Sequence, residues 1–322
     1  VLKNMPMAAD LDIIIVNWNS GIQLRDCLLS IREHGADQVR QVVVVDNASV
    51  DHSLNEIECV AHPVPTRVIH NTENKGFARA CNQGAELSQS KYLLFLNPDA
   101  RLLNSSLSAP LAFLNQKEHS NVGICGIQLI DETGQICRTC SRFPSSLRFA
   151  FQALGLSKFP RLQSWNHQMV EWDHSATLEV DQVIGAFFFV RADLFHALNG
   201  FDELFFVYFE EVDFSYRARK AGYRSVYLAD AEAFHAGGGT SQQVKDVRLF
   251  YSLRSRLLYG FKHFSLSQVV LLLVVTLLIE PVSRAIFSLA RGGIEDLRNT
   301  LNAYRMLGND LGFILKQGLR LS

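Results

Sequence analysis

The sequence predicts an α/β domain built on a mostly parallel sheet, followed by a helical region. Three short runs of β-branched and aliphatic residues, 12–17 (DIIIVN), 41–46 (QVVVVD) and 91–96 (KYLLFL), are typical of strands covered on both faces. Helical patterns at 21–34 and 77–90 lie between them. This strand–helix–strand order predicts parallel strands joined by right-handed crossovers, so a ligand is expected beyond the carboxyl ends of the strands.

The composition is that of a folded protein with one large domain and an appendage, or with two domains. The 322 residues are 48% hydrophobic, and the formal net charge is −1. A near-neutral chain is not expected to bind nucleic acid, because such proteins usually carry a strongly basic face. The first ten residues lack the charged, apolar and small-residue order of a signal peptide, which favours a cytoplasmic location.

The six cysteines show no disulfide-framework spacing, and several lie in apolar patterns, so reduced core thiols are expected. Cys137 and Cys140 have the spacing of half a zinc site. Completion of that site by Cys125 or by a distant histidine stays open as an alternative, although no second paired motif is present.

Polar side chains follow each predicted strand. Asn17 and Asn19 follow the first strand, Asp46 ends the second, and Asn97 and Asp99 follow the third. We expect Asp46 to contact a base or a ribose, whereas the five residues after it are typical of turn and helix-capping chemistry. No G-x-G-x-x-G follows the first strand, so a dinucleotide dehydrogenase fits poorly.

Two of these segments suit phosphate chemistry. The segment 74–82 (NKGFARACN) opens a helix with a glycine, and its backbone amides with Lys75 or Arg79 could hold a phosphate. In 97–99 (NPD), proline fixes a turn directly after a buried strand. Its single carboxylate suits a hard divalent cation that bridges the protein to substrate phosphates.

The most informative stretch is 205–216 (FFVYFEEVDFSY), because it places carboxylates in an aromatic run. The acidic or hydrogen-bonding residues in it are Tyr208, Glu210, Glu211 and Asp213. Desolvated carboxylates are costly without a partner or a task. One interpretation is a capped helix with an Asp213–Arg217 pair one turn apart. The 97–99 turn, and His235 in a glycine-rich segment, favour an active site instead.

Eight motifs in this order resemble those of the family 2 inverting glycosyltransferases, and among them the bacterial rhamnosyltransferases. The resemblance covers roughly residues 10 to 263 and is much less specific for the sugar than for the family. The motifs are 16–19 (VNWN), 45–51 (VDNASVD), 74–78 (NKGFA), 97–99 (NPD), 185–191 (GAFFFVR), 200–203 (GFDE), 209–213 (FEEVD) and His235.

The resemblance implies a GT-A fold in 1–241, with a nucleotide-sugar half of about 1–100 and an acceptor half of about 101–241. A helical region, 242–322, would associate with membrane or form oligomers. Glu211 would be the catalytic base, and a divalent cation, Mg²⁺ or Mn²⁺, would be held on the donor diphosphate by Asp99 and His235. The residues expected to bind the nucleotide sugar are Asn17, Asn19, Asp46, Asn74, Lys75, Gly76, Asn82 and Asn97. Those expected at or behind the acceptor are Glu210, Asp213, Arg217 and Tyr208.

The implied reaction is transfer of a deoxysugar, most simply L-rhamnose from dTDP-L-rhamnose, to a lipid-linked or growing cell-surface glycan acceptor. Two departures from the family pattern are the Asn97-Pro98-Asp99 form of its Asp-x-Asp metal motif and a glutamate at position 211, where aspartate is frequent. Two alternatives remain: another donor such as a UDP- or GDP-hexose, and a non-catalytic nucleotide-sugar-binding scaffold.

The C-terminal region predicts a peripheral protein on the cytoplasmic face of the inner membrane, or a homodimer. Apolar residues at helical spacing within 250–261, surrounded by cations, are typical of a basic amphipathic helix that rests on anionic lipid. The apolar run 269–279 should end at Glu280-Pro281, short of the roughly 20 residues that span a bilayer. A near-heptad stripe from Ile294 to Ile314 predicts core packing, dimerisation or membrane contact.

Overall fold

The computed structural model describes residues 10–55, 57–156, 159–237, 244–291 and 293–321. Contacts divide the chain into two units. Unit 1 comprises Val1–Ser141, Trp172–Glu203 and Glu210–Thr240, and unit 2 comprises Arg142–Glu171, Leu204–Phe209 and Ser241–Ser322. The domain boundary predicted between 241 and 242 lies outside the described residues, as do Gly238 and Gly239 of the glycine-rich segment, and the predicted division stays a prediction.

Unit 1 is built on one mixed sheet. Among the described residues its strands are β1 (Leu11–Asn17), β2 (Val39–Asp46), β3 (Thr66–His70), β4 (Tyr92–Leu96), β5 (Ala100–Leu102), β6 (Val122–Ile130), β7 (Ile136–Cys137), β8 (Leu178–Val180), β9 (Phe187–Arg191) and β10 (Arg224–His235). Their order is β3-β2-β1-β4-β9-β6-β10-β5, with β7 on β6 and β8 on β10. The first four strands are mutually parallel, which confirms the predicted βαβ order, and β9 runs antiparallel to β4.

The described helices alternate with these strands and then follow them. In chain order they are α1 (Ile22–Gly35), α2 (Ile57–Ala61), α3 (Phe77–Ala85), α4 (Ser108–Leu114), α5 (Ser146–Ala153), α6 (Ala192–Ala197), α7 (Glu210–Lys220), α8 (Lys245–His263), α9 (Leu266–Val274), α10 (Glu280–Ala290) and α11 (Ile294–Leu321). A π-helical segment, Val275–Ile279, joins α9 to α10. Helix α5 and helices α8 to α11 belong to unit 2.

The continuous apolar runs form strands because the parallel sheet is covered on both faces. Every residue of β1 is buried. Ile13 and Ile15 belong to the core that contains Leu24 of α1. On the opposite face, Gly84 of α3 lies so close to Ile14 that an added Cβ would be 2.5 Å from its side chain. A strand covered in this way has no polar face, so it lacks the two-residue alternation.

The expectation that Glu280-Pro281 ends the apolar helix is wrong. Leu266–Ala290 is one helix of 25 residues. Proline lacks an amide hydrogen, and its ring crowds the carbonyl group one turn earlier. The wider π-helical segment directly before Pro281 accommodates both effects without ending the helix. Among the described residues it is the one helix that is long and apolar enough to cross a membrane, by length and composition alone.

Two of the basic residues of α8 that were expected on a lipid-facing surface pair with protein instead. Arg254 Nε donates a hydrogen bond to Asp310 of α11 at 2.7 Å, and Arg256 forms a buried ion pair with Glu280 of α10. One exposed apolar surface of unit 2 lies on the 266–290 helix. Its exposed aliphatic side chains are Leu266, Val270, Val274, Leu278, Val282, Ile286 and Leu289.

The stripe on α11 has two different environments. Leu307 and Ile314 are fully buried, while Ile294 and Leu301 are exposed. Helix α11 packs mainly against α8 and α10. Core packing therefore accounts for the later part of the stripe, and the earlier part remains open to solvent or to a partner.

Candidate active site

The carboxyl ends of the first three parallel strands meet at one edge of the sheet. In register, Asn17 of β1 lies beside Asp46 of β2, and Asp46 lies beside His70 of β3. Asn17 Nδ2 donates a hydrogen bond to Asp46 Oδ1 at 2.8 Å, and the backbone N–H of Ser49 donates to Asp46 Oδ2 at 3.1 Å. The carboxylate is thus oriented by the protein, and its remaining lone pairs can accept hydrogen bonds from a ligand.

The loop after β2 is shaped by the asparagine residues that follow β1. Asn19 has a left-handed backbone with φ 51°. Its backbone N–H donates to Ser49 Oγ at 2.9 Å, and its side-chain Oδ1 accepts from the Val50 N–H at 2.8 Å. Asn17 and Asn19 therefore hold the segment that carries Asp46, and their predicted contacts with a nucleotide sugar stay a prediction.

An amide network, which the sequence did not reveal, connects this edge to α3. Asn71, directly after β3, donates through Nδ2 to Asn47 Oδ1 and to Gln83 Oε1, both at 2.9 Å. Asn47 Nδ2 donates in turn to the carbonyl of Gly76 at 3.1 Å. The only sequence signal for this network was the position of Asn71 directly after a strand. That strand, β3, was not predicted, because its residues are mostly half-exposed.

The start of α3 has the geometry of a phosphate site. The Gly76 N–H donates to Asn74 Oδ1 at 2.9 Å, and Gly76 adopts φ 87°, a left-handed conformation that favours glycine. Lys75 is half-buried beside it and forms no ion pair with another described residue. The free amides of a helix N-terminus together with a lysine can bind an anion.

Asn82 has a structural contact that its sequence position did not suggest. Its Nδ2 donates to the Phe201 carbonyl and its Oδ1 accepts from the Phe201 N–H, both at 2.9 Å. Gly200 packs so closely that an added Cβ would lie 2.5 Å from Asn82 Oδ1. The amide of Asn82 therefore holds the turn at 200–201, and that predicted nucleotide-sugar contact stays a prediction.

Asp99 and His235 are brought together by strand pairing. Strand β5 begins at Ala100, which lies opposite His235 at the end of the antiparallel strand β10. The backbone N–H of Ala236 donates to the Asp99 carbonyl at 3.2 Å. Asp99 Oδ1 and His235 Nε2 are consequently 3.4 Å apart, with both side chains about nine-tenths buried.

Asp99 and His235 could supply two ligands to a divalent ion. No group of three or more His, Cys, Asp or Glu side chains in the described part of the chain is arranged to hold a metal by itself. Carboxylate and imidazole donors suit Mn²⁺, and Mg²⁺ usually keeps waters and substrate phosphates as further ligands. The donor set therefore fits an ion whose coordination is completed by the diphosphate.

A zinc site at Cys137 and Cys140 gains no support. The backbone N–H of Cys140 donates to His174 Nε2 at 3.1 Å, so the ring nitrogen of the nearest histidine is already occupied. Burial raises the pKa of the Cys140 thiol to about 12, which disfavours the thiolate that zinc requires.

Helix α7 is fixed by an aromatic cluster. Phe214 of α7 packs against Phe188 of β9, Phe195 of α6 and Phe201, with ring centroids 5.3 to 5.9 Å apart. Phe95 of β4 joins the same cluster. Each such aromatic pair contributes about 0.5 to 1.5 kcal/mol beyond area burial. The cluster sets the position of the acidic residues in the first turn of α7.

The two glutamates at the start of α7 occupy different environments. Glu210 is only 4% exposed, and its Oε2 has no hydrogen-bond partner in the described residues. Burial first, and the neighbouring Glu211 second, raise the pKa of Glu210 well above its ordinary value. Glu211 is half-buried, and a methyl group added to Gly185 would contact its Cγ and Cδ at 3.9 Å. The pair thus contains one carboxyl that favours its neutral form beside a second that is half-buried, with its Oε2 atom shielded from solvent.

Glu211 and the 97–99 turn both lie next to the paired strands β4 and β9. The Asn97 N–H donates to the Ala186 carbonyl at 3.0 Å, next to Gly185, over which Glu211 lies. The turn therefore connects Asp99 on one side with the neighbourhood of Glu211 on the other. The sequence predicted Gly185 only as part of a motif, and the structure places the Glu211 side chain against it.

Asp213 and Arg217, two other residues predicted at or behind the acceptor, form an ion pair within α7. Asp213 is fully buried and accepts a 2.7 Å hydrogen bond from Arg217 Nε, and Arg217 also donates to the carbonyls of Leu198 and Gly200. The predicted intrahelical pair is therefore present and fixes the turn before 201. Tyr208 belongs to unit 2 and has a left-handed backbone with φ 66°.

Comparison with protein families identifies the chain. The model of the family described as Glycosyl transferase family 2 matches residues 12–167. The chain contains a family 2 glycosyltransferase domain. This match begins in β1 and includes the first three strand ends and Asp99, and the resemblance found from the motifs is confirmed.

Relatives of this glycosyltransferase include rhamnosyltransferases. An N-acetylglucosaminyl-diphospho-decaprenol L-rhamnosyltransferase from Mycobacterium tuberculosis is 25% identical over 236 residues, which are 70% of this chain and 75% of the relative. Rhamnosyltransferase WbbL from Escherichia coli is 29% identical over 149 residues, 45% of this chain and 51% of that protein.

A solved structure confirms the GT-A fold of this glycosyltransferase. The mannosyltransferase PcManGT from Pyrobaculum calidifontis, in complex with GDP-Man and Mn²⁺, superposes with a TM-score of 0.56. The match covers 97% of this chain and 86% of that protein at 16% identity. At this identity the likeness concerns the fold alone.

Proposed function

We propose that the chain is an inverting transferase that moves L-rhamnose from dTDP-L-rhamnose to a lipid-linked or growing cell-surface glycan acceptor. The observation that carries the proposal is the half-buried Glu211 beside the buried Glu210, over Gly185 and next to the 97–99 turn that carries Asp99. A single displacement needs a base for the acceptor hydroxyl and a group that holds the leaving diphosphate. Neighbouring strand ends would supply both.

Glu211 would act as the general base. The acceptor hydroxyl attacks the anomeric carbon, its proton passes to the Glu211 carboxylate, and the bond from that carbon to the phosphate oxygen breaks with loss of the nucleoside diphosphate. Glu210 favours its neutral form, so it adds no second negative charge beside the base. One displacement inverts the anomeric centre and needs no enzyme nucleophile.

The donor would be held from three sides. Asp46 faces the base or ribose, and the start of α3 with Lys75 faces the diphosphate. Asp99 and His235 would hold a divalent ion, Mg²⁺ or Mn²⁺, which neutralises the charge that develops on the leaving diphosphate.

The sugar assignment draws its support from the relatives, since two of them are named as rhamnosyltransferases. The GDP-Man bound to the similar solved structure favours the alternative of another nucleotide sugar. A non-catalytic nucleotide-sugar scaffold is the second alternative, and the retained Asp99, Glu211 and His235 argue against it.

A donor screen tests the proposal. Purified protein is incubated with dTDP-rhamnose, UDP-hexoses or GDP-mannose and a polyprenyl-diphosphate-linked sugar acceptor, and release of the nucleoside diphosphate is measured. We expect acceptor-dependent release from dTDP-rhamnose above all. Release from another donor instead would reassign the sugar, and no release from any donor with intact nucleotide binding would support the scaffold.

We also propose that unit 2 holds the enzyme at the cytoplasmic membrane surface without crossing it. The exposed aliphatic side chains of Leu266–Ala290 recur every four residues on one side, while Val269, Leu272 and Glu280 on the other side are buried. Such a helix can lie in the interface plane. The alternative is a homodimer that covers this face. A monodisperse, detergent-free dimer that ignores liposomes would favour it.

A further inference from the structure

Gly185, which lies two positions before β9, is a glycine that neither its backbone nor its packing requires. Gly200 has a left-handed backbone with φ 69°, a conformation that favours glycine. Gly126 has no room for a side chain, because an added Cβ would lie 2.7 Å from Val183. Gly185 has no positive φ, and apart from its chain neighbours no described atom lies closer than 3.9 Å to an added Cβ. An alanine would fit at this position, so the absence of a side chain needs another explanation.

The backbone is fixed on both sides of Gly185. Ala186 is buried, and its carbonyl accepts a hydrogen bond from the Asn97 N–H at 3.0 Å. The antiparallel pairing of β9 with β4 begins at the residue after Ala186. On the other side, Val183 is buried in unit 1. A side chain at position 185 could therefore not be moved aside by a shift of the backbone, and it would point into a defined place.

That place lies against Glu211. The three described atoms nearest to a Cβ added at Gly185 are Cδ, Cγ and Cβ of Glu211, at 3.9 to 4.0 Å. Gly185 and Glu211 are both partly buried and partly open to solvent. The missing side chain thus leaves a space beside the carboxyl group of Glu211 that a molecule can enter from solvent.

In the proposed reaction an acceptor hydroxyl has to come close to this space. A general base must lie within about 2.6 to 3.2 Å of the oxygen whose proton it takes. A methyl group beside the Glu211 carboxyl group would occupy volume needed by the carbon atoms that carry the hydroxyl. Water has no such carbon atoms. The absence of a side chain at position 185 therefore matters for a hydroxyl carried on a sugar ring, and it matters little for water.

We propose that Gly185 determines acceptor specificity: it admits a sugar ring beside Glu211, and a larger residue there would favour hydrolysis of the donor over transfer. This inference rests on the proposed function and names the position that admits the acceptor. In both reactions the bond from the anomeric carbon to the phosphate oxygen breaks, and the proton of the attacking O–H group passes to Glu211. The new bond joins the anomeric carbon to the acceptor oxygen in transfer and to a water oxygen in hydrolysis.

Gly185→Ala in the full chain tests the proposal. Release of the nucleoside diphosphate from dTDP-rhamnose is measured with a polyprenyl-diphosphate-linked sugar, which reports transfer, and without acceptor, which reports hydrolysis. We expect kcat/KM for the acceptor to fall by about tenfold, the lower end of the range for one methylene group in a substrate pocket. Hydrolysis and donor binding should persist. The midpoint of thermal unfolding should not fall, because an alanine that fits without strain restricts the unfolded chain. Gly185→Val should lower transfer further and again spare hydrolysis.

Gly308→Ala is the matched control, because Gly308 is exposed on α11 and a Cβ added there meets no described atom within 4 Å. It should leave transfer and hydrolysis unchanged. Unchanged transfer in Gly185→Ala, or equal losses of transfer and hydrolysis, would overturn the proposal. A lowered unfolding midpoint would make Gly185 a structural glycine and also overturn it.

The same two rates separate this proposal from the proposed function on which it rests. If the donor screen selects another nucleotide sugar, both rates are measured with that donor, so a wrong sugar does not affect the test. A wild type that shows no acceptor-dependent release from any donor would overturn the proposed function itself. A wild type that transfers sugar as well as Gly185→Ala does would overturn only the role of Gly185.

Discussion

Unit 1 and unit 2 each bury a glutamate, and the two environments shift its pKa in opposite directions. Glu210 of unit 1 and Glu280 of unit 2 are 4% and 6% exposed. Burial and the adjacent Glu211 raise the pKa of Glu210 well above 4.5. Burial alone would also raise the pKa of Glu280, but Arg256 and Arg284 outweigh it and lower that pKa below 4.5. The neighbours, and not the depth of burial, decide whether a buried carboxyl is neutral or charged.

The two glutamates also make opposite contributions to the pH dependence of stability. Glu210 stabilises the fold below about pH 4.5, and this contribution is lost as the pH rises through its raised folded pKa. Glu280 stabilises the fold above about pH 4.5, and its contribution is lost as the pH falls through its lowered folded pKa. A buried glutamate whose pKa is raised beside a second carboxyl is typical of an active site, whereas one matched by two arginines is typical of structure.

The largest expected effect comes from removing the charged member of the unit 1 pair. Glu211→Gln keeps the shape and removes the proton acceptor, so turnover should fall by about 10²- to 10⁴-fold, the usual range for a general base. Initial rates of nucleoside diphosphate release and equilibrium donor binding are measured together. Donor binding should survive, and the exposed Glu118→Gln, outside every motif, serves as the matched control. Near-normal turnover in Glu211→Gln would move the base to Glu210 or Asp213.

In unit 2, breaking the ion pair should act on stability. Arg256→Met removes one of the two cations that hold Glu280 and should lower the free energy of unfolding by about 3 kcal/mol, the lower end of the range for a broken buried pair. Denaturant unfolding measures it, with the exposed Arg305→Met as control at no more than about 0.5 kcal/mol. A loss no larger than that of the control would show that Glu280 does not depend on Arg256.

The metal proposal predicts an effect of intermediate size in unit 1. Asp99→Ala should weaken nucleotide diphosphate binding by about 10- to 100-fold in Mn²⁺ or Mg²⁺, a range typical of a disturbed metal site, and much less in chelator. The reason is that Asp99 would reach the diphosphate through the ion. Calorimetry with and without chelator distinguishes the two. If wild type binds equally in both conditions, Lys75 and the start of α3 hold the phosphates alone.

The smallest effect on turnover is expected for the neutral member of the pair. Glu210→Gln replaces a protonated carboxyl with a neutral amide of the same shape, so turnover should fall by less than about tenfold, below the range for a general base. The variant should lose the stability that wild type gains below about pH 4.5 relative to higher pH. Thermal unfolding from pH 4 to pH 8 measures this. An unchanged pH profile would contradict a raised pKa at Glu210.

Much of unit 1 could be predicted from the sequence because its signals are local. The runs in β1, β2 and β4 are buried on both faces and read directly as strands. Strand β3 was not predicted because its residues are half-buried or exposed and do not form a continuous apolar run. The Asp99–His235 contact depends on pairing between β5 and β10, 135 positions apart in the chain, and only the resemblance to a family indicated it.

The sequence was least informative in unit 2. A proline preceded by a glutamate ordinarily predicts a helix end, and only the π-helical segment before Pro281 allows the helix to continue. The charge pattern of α8 predicted a lipid-facing surface. Arg254 and Arg256 instead pair with residues of α11 and α10, which lie 56 and 24 positions away. Such pairings follow from helix packing and leave no local pattern.

The most direct test of the account is a titration of the Glu210–Glu211 pair. The ¹³C carboxyl resonances of glutamate-labelled protein are followed from pH 3 to pH 9, and the pair is assigned by comparison with Glu210→Gln and Glu211→Gln. We expect one carboxyl resonance of the pair to show a group that stays protonated well above pH 4.5. That resonance should be absent from the spectrum of Glu210→Gln. The other carboxyl of the pair should lose its proton at a lower pH. Loss of both protons near pH 4.5 would contradict the assignment of a neutral Glu210 beside a charged base.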